Sequence, residues 1–171
     1  MRFETPFGPA WATIDSSGAL TAFSFREIEQ TRWRSDIVEQ QINEFFAGTR
    51  RSFDLPLAPK GTDFQKRVWA ELSKIPFGET TSYGALAKRI GNAAASRAVG
   101  RANGTNPIAV IVPCHRVIGM NGKLTGYAGG LDLKDRLLRW ERAMVSRSAT
   151  FSAHAGAAAH GGSQSDLFQN W

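Results

Sequence analysis

Apolar and polar positions along the first sixty residues follow two periods in turn. "AWATIDSSGALTAFSF", from Ala10 to Phe25, alternates around a Ser-Ser-Gly turn and predicts a pair of strands. "SDIVEQQINEFFAG" changes to a helical period, with Ile37, Val38, Ile42, Phe45 and Phe46 on one face. Ser35 is the expected cap of that helix and Gly48 its stop. "RRSFDLPLAP" predicts one more strand before its prolines interrupt it. This first stretch, residues 1–59, reads as a mixed α/β lobe that supports the rest.

The period lengthens again from Gly61. "GTDFQKRVWAELSKIPFG" opens on a Thr62–Gln65 capping box and carries Phe64, Val68, Leu72 and Ile75 at helical spacing until Pro76 and Gly78 stop it. "TSYGALAKRIGNAAASRAVGRANG" predicts a short helix to Ile90, a turn at Gly91–Asn92 and a second helix from Ala93 to about Ala102. Two short helices about a glycine turn suit a helix-turn-helix and equally an ordinary helical hairpin. The second helix is built from small residues, among them Ala95, Ser96 and Gly100, with Arg97 and Arg101 one turn apart. That surface admits close approach of another backbone, with two arginines placed for phosphates; it also suits an alanine-rich core helix with solvated arginines. "PIAVIV", closed by Pro113, predicts a buried strand that ends just before Cys114.

Composition narrows the chemistry. The chain has 171 residues and a single cysteine, which excludes an internal disulfide framework and a multi-cysteine zinc site. A lone free thiol fits a reducing, cytoplasmic setting. The opening "MRFETPFGPAWATID" has no apolar signal core, and no apolar run approaches a membrane span. A net charge of +6 favours polyanionic partners. Cys114 is followed by His115 and Arg116, whose charge and hydrogen bonds favour a thiolate if they face it. On extended backbone adjacent side chains diverge, so a direct Cys114–His115 contact needs a turn or a bridging water. A buried structural thiol is the competing reading.

Four blocks in order, "FQKRVWAEL", "IPFGETTSYGALAKRIG", "SRAVGRANGTNPIAVIVPCHRVIG" and "GKLTGYAGGLDLKDRLLRWE", resemble the O6-alkylguanine-DNA alkyltransferases, the direct-reversal repair proteins also called methylated-DNA–protein-cysteine methyltransferases. The resemblance is strong over about half the chain, from about Thr62 to Glu141, and general in the N-terminal lobe. It implies an α/β N-terminal lobe and a mainly helical C-terminal lobe, residues 60–145, containing a winged-helix-like helix-turn-helix. It implies one irreversible transfer of an alkyl group from O6-alkylguanine, and from O4-alkylthymine, in duplex DNA to Cys114, with no cofactor and no metal. By the same resemblance His115 takes the thiol proton through a water, Glu141 orients His115, Tyr83 assists the leaving guanine, and Asn106 ties the helices to the active-site strand. Val117, Tyr127, Ala128 and Gly129 match the substrate pocket. Ala95, Ser96, Gly100 and Arg101 match the DNA-binding helix, and Arg97 matches the arginine that fills the stack when the base is flipped out. A winged-helix regulator is the main alternative, and it predicts that Cys114→Ser leaves function intact. A cysteine hydrolase would turn over repeatedly, and the non-catalytic relatives lack the cysteine that this chain keeps.

The C-terminal end falls outside the resemblance. Residues 146–163 are rich in Ser, Ala, Gly and His and read as a flexible linker. Residues 164–171 end in "QSDLFQNW", where Gln164, Asp166, Leu167 and Phe168 resemble the short motif that binds the bacterial DNA sliding clamp. Docking of Leu167, Phe168 and Trp171 on the protein's own surface is the other reading.

Overall fold

The structure is a computed structural model and describes residues 1–158, with side chains to residue 147. Strands β1 (Arg2–Thr5), β2 (Gly8–Ile14) and β3 (Leu20–Ser24) form one antiparallel sheet in sequence order. β2 and β3 are the alternating pair expected around Asp15–Gly18. Helix α1 (Asp36–Phe46) follows, burying Val38, Ile42 and Phe45. Ile37, expected on that face, is exposed; Gln41 is buried in the stripe instead and exchanges hydrogen bonds with the backbone of Asp54. The strand expected within 50–59 does not form. Only an isolated bridge joins Leu57 to Leu20, because Pro56 and Pro59 remove two ladder donors.

Helix α2 (Asp63–Leu72) begins on Thr62 with both hydrogen bonds of the capping box in place. A two-residue strand β4 (Thr81–Ser82) leads into α3 (Tyr83–Arg89), and the Ser82 hydroxyl accepts from the Ala85 amide. After the turn at Gly91, residues Ala93–Ala95 form a single tight 3-10 turn before α4 (Ser96–Gly104). The second helix therefore starts three residues later than expected. Both α2 and α3 pack on α4, and the Trp69 indole donates to the Ala102 carbonyl at 2.8 Å. β5 (Val117–Ile118) pairs in parallel with β4.

The long helix α5 (Leu131–Ala158) closes the core. It runs through 146–158, the first part of the stretch expected to be linker; Ala149, Ala153, Ala155, Ala157 and Ala158 favour helix there. The rest of that stretch and the whole tail motif lie outside the described residues. Phe7 meets Trp140 edge-on at 5.8 Å, and Phe45 packs on both Phe77 and Trp140. One apolar core thus joins the α/β part to the helical part. Among the described residues no helix is long and apolar enough to cross a membrane.

Candidate active site

Cys114 is delivered by a buried loop, not by the strand expected at 107–112. Ile108 makes one isolated bridge to Phe23, and then the chain folds tightly. The Ile111 amide donates to the Ala109 carbonyl at 2.8 Å around Val110, whose φ is 68°. This is a γ-turn of the rare positive-φ kind, strained for a β-branched residue. A second, relaxed γ-turn is centred on Pro113 (φ −82°, ψ 62°), where the Cys114 amide donates to the Val112 carbonyl.

Buried backbone without a strand neighbour needs other partners. Asn106 supplies them: its Oδ1 accepts from the Ile108 amide, and its Nδ2 donates to the carbonyls of Val112 at 2.7 Å and Ile108 at 3.3 Å. The same Nδ2 lies 3.1 Å from Cys114 Sγ. Burial pushes the Cys114 thiol above its ordinary value, against the Asn106 hydrogen bond and the nearby charge of Lys134. The resting group is a thiol, and making a thiolate requires a base.

The base is beside it in sequence. Cys114–Arg116 form a 3-10 turn that buries all three side chains. His115 Nε2 lies 2.8 Å from Glu141 Oε1, and both side chains are fully buried. Arg116 turns away from the thiol, contrary to one expectation. Its Nε and Nη2 grip the Glu141 carboxylate at 2.9 Å, and its Nη1 donates to the Ile75 carbonyl. The Gly78 amide donates to Glu141 as well. Burial pushes the Glu141 carboxyl up, but the bonds from His115 and Arg116 outweigh it and hold it at about 2. Burial lowers His115, which stays neutral near pH 7. A neutral His115 facing an ionised carboxylate carries its proton on Nε2, leaving Nδ1 as the basic lone pair. Nδ1 is buried and has no partner among the described residues. Glu141 is at this site and not a helix-surface charge.

Two charged residues complete the surroundings, one in a role other than the expected one and one that the sequence analysis did not assign. Arg116 serves Glu141, as above. Lys134 is fully buried, and its Nζ donates to the carbonyls of Val117 at 2.6 Å and Thr125 at 2.7 Å. Burial lowers its pKa to about 8. The signal for Lys134 was present in the pattern, since it falls with Leu133, Leu137, Leu138 and Glu141 on the apolar stripe of α5.

The remaining residues divide between two recesses. Tyr83, Ser96, Arg97, Gly100 and Arg101 line an open groove with Thr125 and Gly126. Ala95 stands at the entry of α4 just before it. The Tyr83 hydroxyl donates to the Thr125 carbonyl at 3.2 Å, and burial raises its pKa. Tyr127, Ala128 and Gly129 line a chamber of about 240 Å³ together with Cys114 and Asn106. Gly129 has little choice there, because a Cβ would meet Leu133 at 2.7 Å and Tyr127 at 2.9 Å. Val117 is buried in β5. The opposite chamber wall includes Phe23, Phe25 and Ile28, so the N-terminal part contributes to the site and is not support alone.

Residues 63–143 match the family described as 6-O-methylguanine DNA methyltransferase, DNA binding domain. A methylated-DNA–protein-cysteine methyltransferase of Methanosarcina mazei is 62% identical over 147 residues, covering 81% of this chain and 93% of its own. The Methanosarcina acetivorans protein of that name is 51% identical, with 81% and 95% covered. Among solved structures, Mycobacterium tuberculosis OGT in complex with DNA superposes with a TM-score of 0.76 at 46% identity, covering 84% of this chain and 92% of the other.

Proposed function

The chain belongs to the methylated-DNA–protein-cysteine methyltransferase family, and we propose that it repairs O6-alkylguanine in duplex DNA by moving the alkyl group onto Cys114. The observation that carries this reading is the position of Sγ. It stands at a chamber wall under the Asn106 amide, and the adjacent His115–Glu141 pair presents an unpartnered basic nitrogen.

In the reaction, His115 Nδ1 takes the thiol proton through one water, and the sulfur attacks the alkyl carbon in line. The S–C bond forms as the C–O6 bond breaks, and the electron pair leaves on the guanine. Lys134 and the Asn106 amide stabilise the anionic sulfur, while the Tyr83 hydroxyl exchanges its Thr125 carbonyl for the guanine ring and offsets the charge that develops there. The product is a thioether that nothing in the site hydrolyses, so each molecule acts once. O4-alkylthymine presents an equivalent alkyl carbon and is taken as a second substrate.

Reaching the atom requires extrusion of the base from the duplex, which costs a few kcal/mol. In this reading α3, the turn and α4 act as a helix-turn-helix, the small residues Ala95, Ser96 and Gly100 approach the minor groove, and Arg97 fills the vacated stack while Arg101 serves phosphates. The C-terminal Gln164, Asp166, Leu167 and Phe168 are assigned to a bacterial sliding clamp, with Leu-Phe anchors entering an apolar pocket. Loss of tail-peptide binding to a clamp on Leu167→Ala and Phe168→Ala tests that assignment.

Intact mass tests the central reading. Incubation with O6-benzylguanine or an O6-methylguanine duplex adds one alkyl group per molecule, on Cys114, and Cys114→Ser adds none while keeping duplex affinity. Turnover without a mass increase, or transfer to the Ser variant, contradicts it.

A further inference from the structure

The chamber that Cys114 lines has a floor and a mouth, told apart by exposure. Phe23, Asn103 and Cys114 are buried, whereas Arg26, Gly104, Ala128 and Gly129 line the same chamber and are exposed. Gly104 closes α4, and Ala128 and Gly129 lie in the loop before α5, so two sides of the mouth come from the helical part. Arg26, just past β3, brings a third side from the α/β part.

Arg26 is the one charged residue among those that line the chamber. Glu27 and Glu29 follow it in sequence, and neither lines the chamber. Among the described residues its guanidinium joins no ion pair. Its root is fixed, because the Arg26 amide donates to the Ser24 hydroxyl at 2.9 Å and Phe25 meets Phe7, Phe23 and Phe46 edge-on. A base that enters a pocket leaves its sugar and flanking phosphates at the rim. A guanidinium held there suits a phosphate, whose oxygens accept two parallel charge-assisted hydrogen bonds.

We propose that Arg26 grips a backbone phosphate of the nucleotide whose base enters the chamber, from the side of the mouth that the α/β part supplies. Arg97 and Arg101 line the separate open groove. DNA is then held from both parts of the chain, by the α4 arginines on the duplex and by Arg26 on the extruded nucleotide. A phosphate contact of this kind is indifferent to base sequence and releases counterions. The inference rests on transfer from an extruded base to Cys114 and adds a DNA contact to it.

The test measures single-turnover transfer by mass on the full chain, at subsaturating protein, with an O6-methylguanine duplex, the same strand alone and free O6-benzylguanine. Arg26→Gln slows transfer from duplex and single strand alike by about five- to tenfold, the loss of one contact to a charged group. Free O6-benzylguanine, which carries no phosphate, reacts within about twofold of wild type. The salt dependence on the duplex weakens by about one unit of log–log slope. Arg26→Lys keeps the charge and restores most of the duplex rate. An unchanged duplex rate overturns the proposal, as does slowing of the duplex without the single strand, or of the free base as much as the duplex. So does equal slowing by Arg147→Gln, which removes an exposed charge that lines neither recess. Absence of any mass increase in wild type, with all three substrates, defeats the transferase reading instead.

Discussion

Asn106 Nδ2 stands 3.1 Å from Cys114 Sγ and 2.7 Å from the Val112 carbonyl, so one amide group both braces the loop and donates to the nucleophile. An amide NH₂ has two hydrogens, and a third acceptor, the Ile108 carbonyl, lies further off at 3.3 Å. The strong pair of bonds is therefore the one that couples loop shape to thiol acidity.

Removing that amide acts on both. Asn106→Ala raises the thiol pKa further and lowers the transfer rate by about tenfold or more, since a hydrogen bond to a charged group contributes about 1.5–3 kcal/mol. It also lowers the unfolding midpoint, because buried loop carbonyls lose their donor. The pH dependence of transfer from free O6-benzylguanine, read beside a thermal melt, checks both effects. A wild-type pH profile in a destabilised variant would confine Asn106 to bracing.

Glu141 compensates a buried guanidinium as well as orienting His115. Glu141→Gln leaves Arg116 without its counter-charge, and breaking a buried pair in this way costs about 3–5 kcal/mol. The carboxyl falls from the ordinary 4.5 to about 2 in the folded protein. A depressed carboxyl contributes stability that is complete above 4.5 and lost as pH falls toward 2. Wild type should lose stability across that window, and Glu141→Gln should lose less, as melts at stepped acid pH will show.

How much of this was legible in the sequence depended on whether local rules were in command. The Thr62–Gln65 capping box is a local device, and both its hydrogen bonds formed as read. The 107–112 run failed as a strand because periodicity cannot tell a strand from a buried loop whose backbone is satisfied by a side chain. Asn106 does that work from outside the run. Glu141 came from family resemblance, whereas its partner Arg116 became visible only when the 3-10 turn aimed it at the carboxylate. Arg26 carried no signal at all, since an arginine just past a strand ordinarily reads as a solvated loop residue.

Lys134, like Glu141, makes stability rise with pH, but as a burial cost relieved in base and not as a gain lost in acid. Its pKa is lowered by burial from 10.5 to about 8, so between those values the unfolded chain holds more protons than the folded one. The cost of burying the ammonium is complete below about 8 and is relieved as pH rises toward 10.5. Lys134→Met removes this alkaline rise in stability. It also removes a positive charge near Cys114, which slows transfer and moves the rising limb of its pH profile to higher pH. An unshifted limb would show that the lysine only ties Val117 to Thr125.

Arg97 separates extrusion from chemistry. It is exposed on α4 and lines the open groove with Tyr83, whereas Cys114 lines the other chamber with Tyr127, Ala128 and Gly129. Nothing in the thiol's surroundings involves Arg97, so its removal should leave reaction with a free base nearly intact. A duplex substrate differs, because the vacated stack must be filled while the lesion sits in the pocket, at a cost of a few kcal/mol. Arg97→Ala should therefore slow repair of an O6-methylguanine duplex by about tenfold to a hundredfold, the range of 1.4 to 2.8 kcal/mol in a barrier. Transfer from free O6-benzylguanine should change by less than about twofold, since it has no extrusion step. Raising salt should weaken duplex binding by wild type and variant alike, because the other basic residues still displace counterions. Parallel time courses on the two substrates decide the matter: equal slowing of both would remove Arg97 from the flipping step and place its effect in the fold.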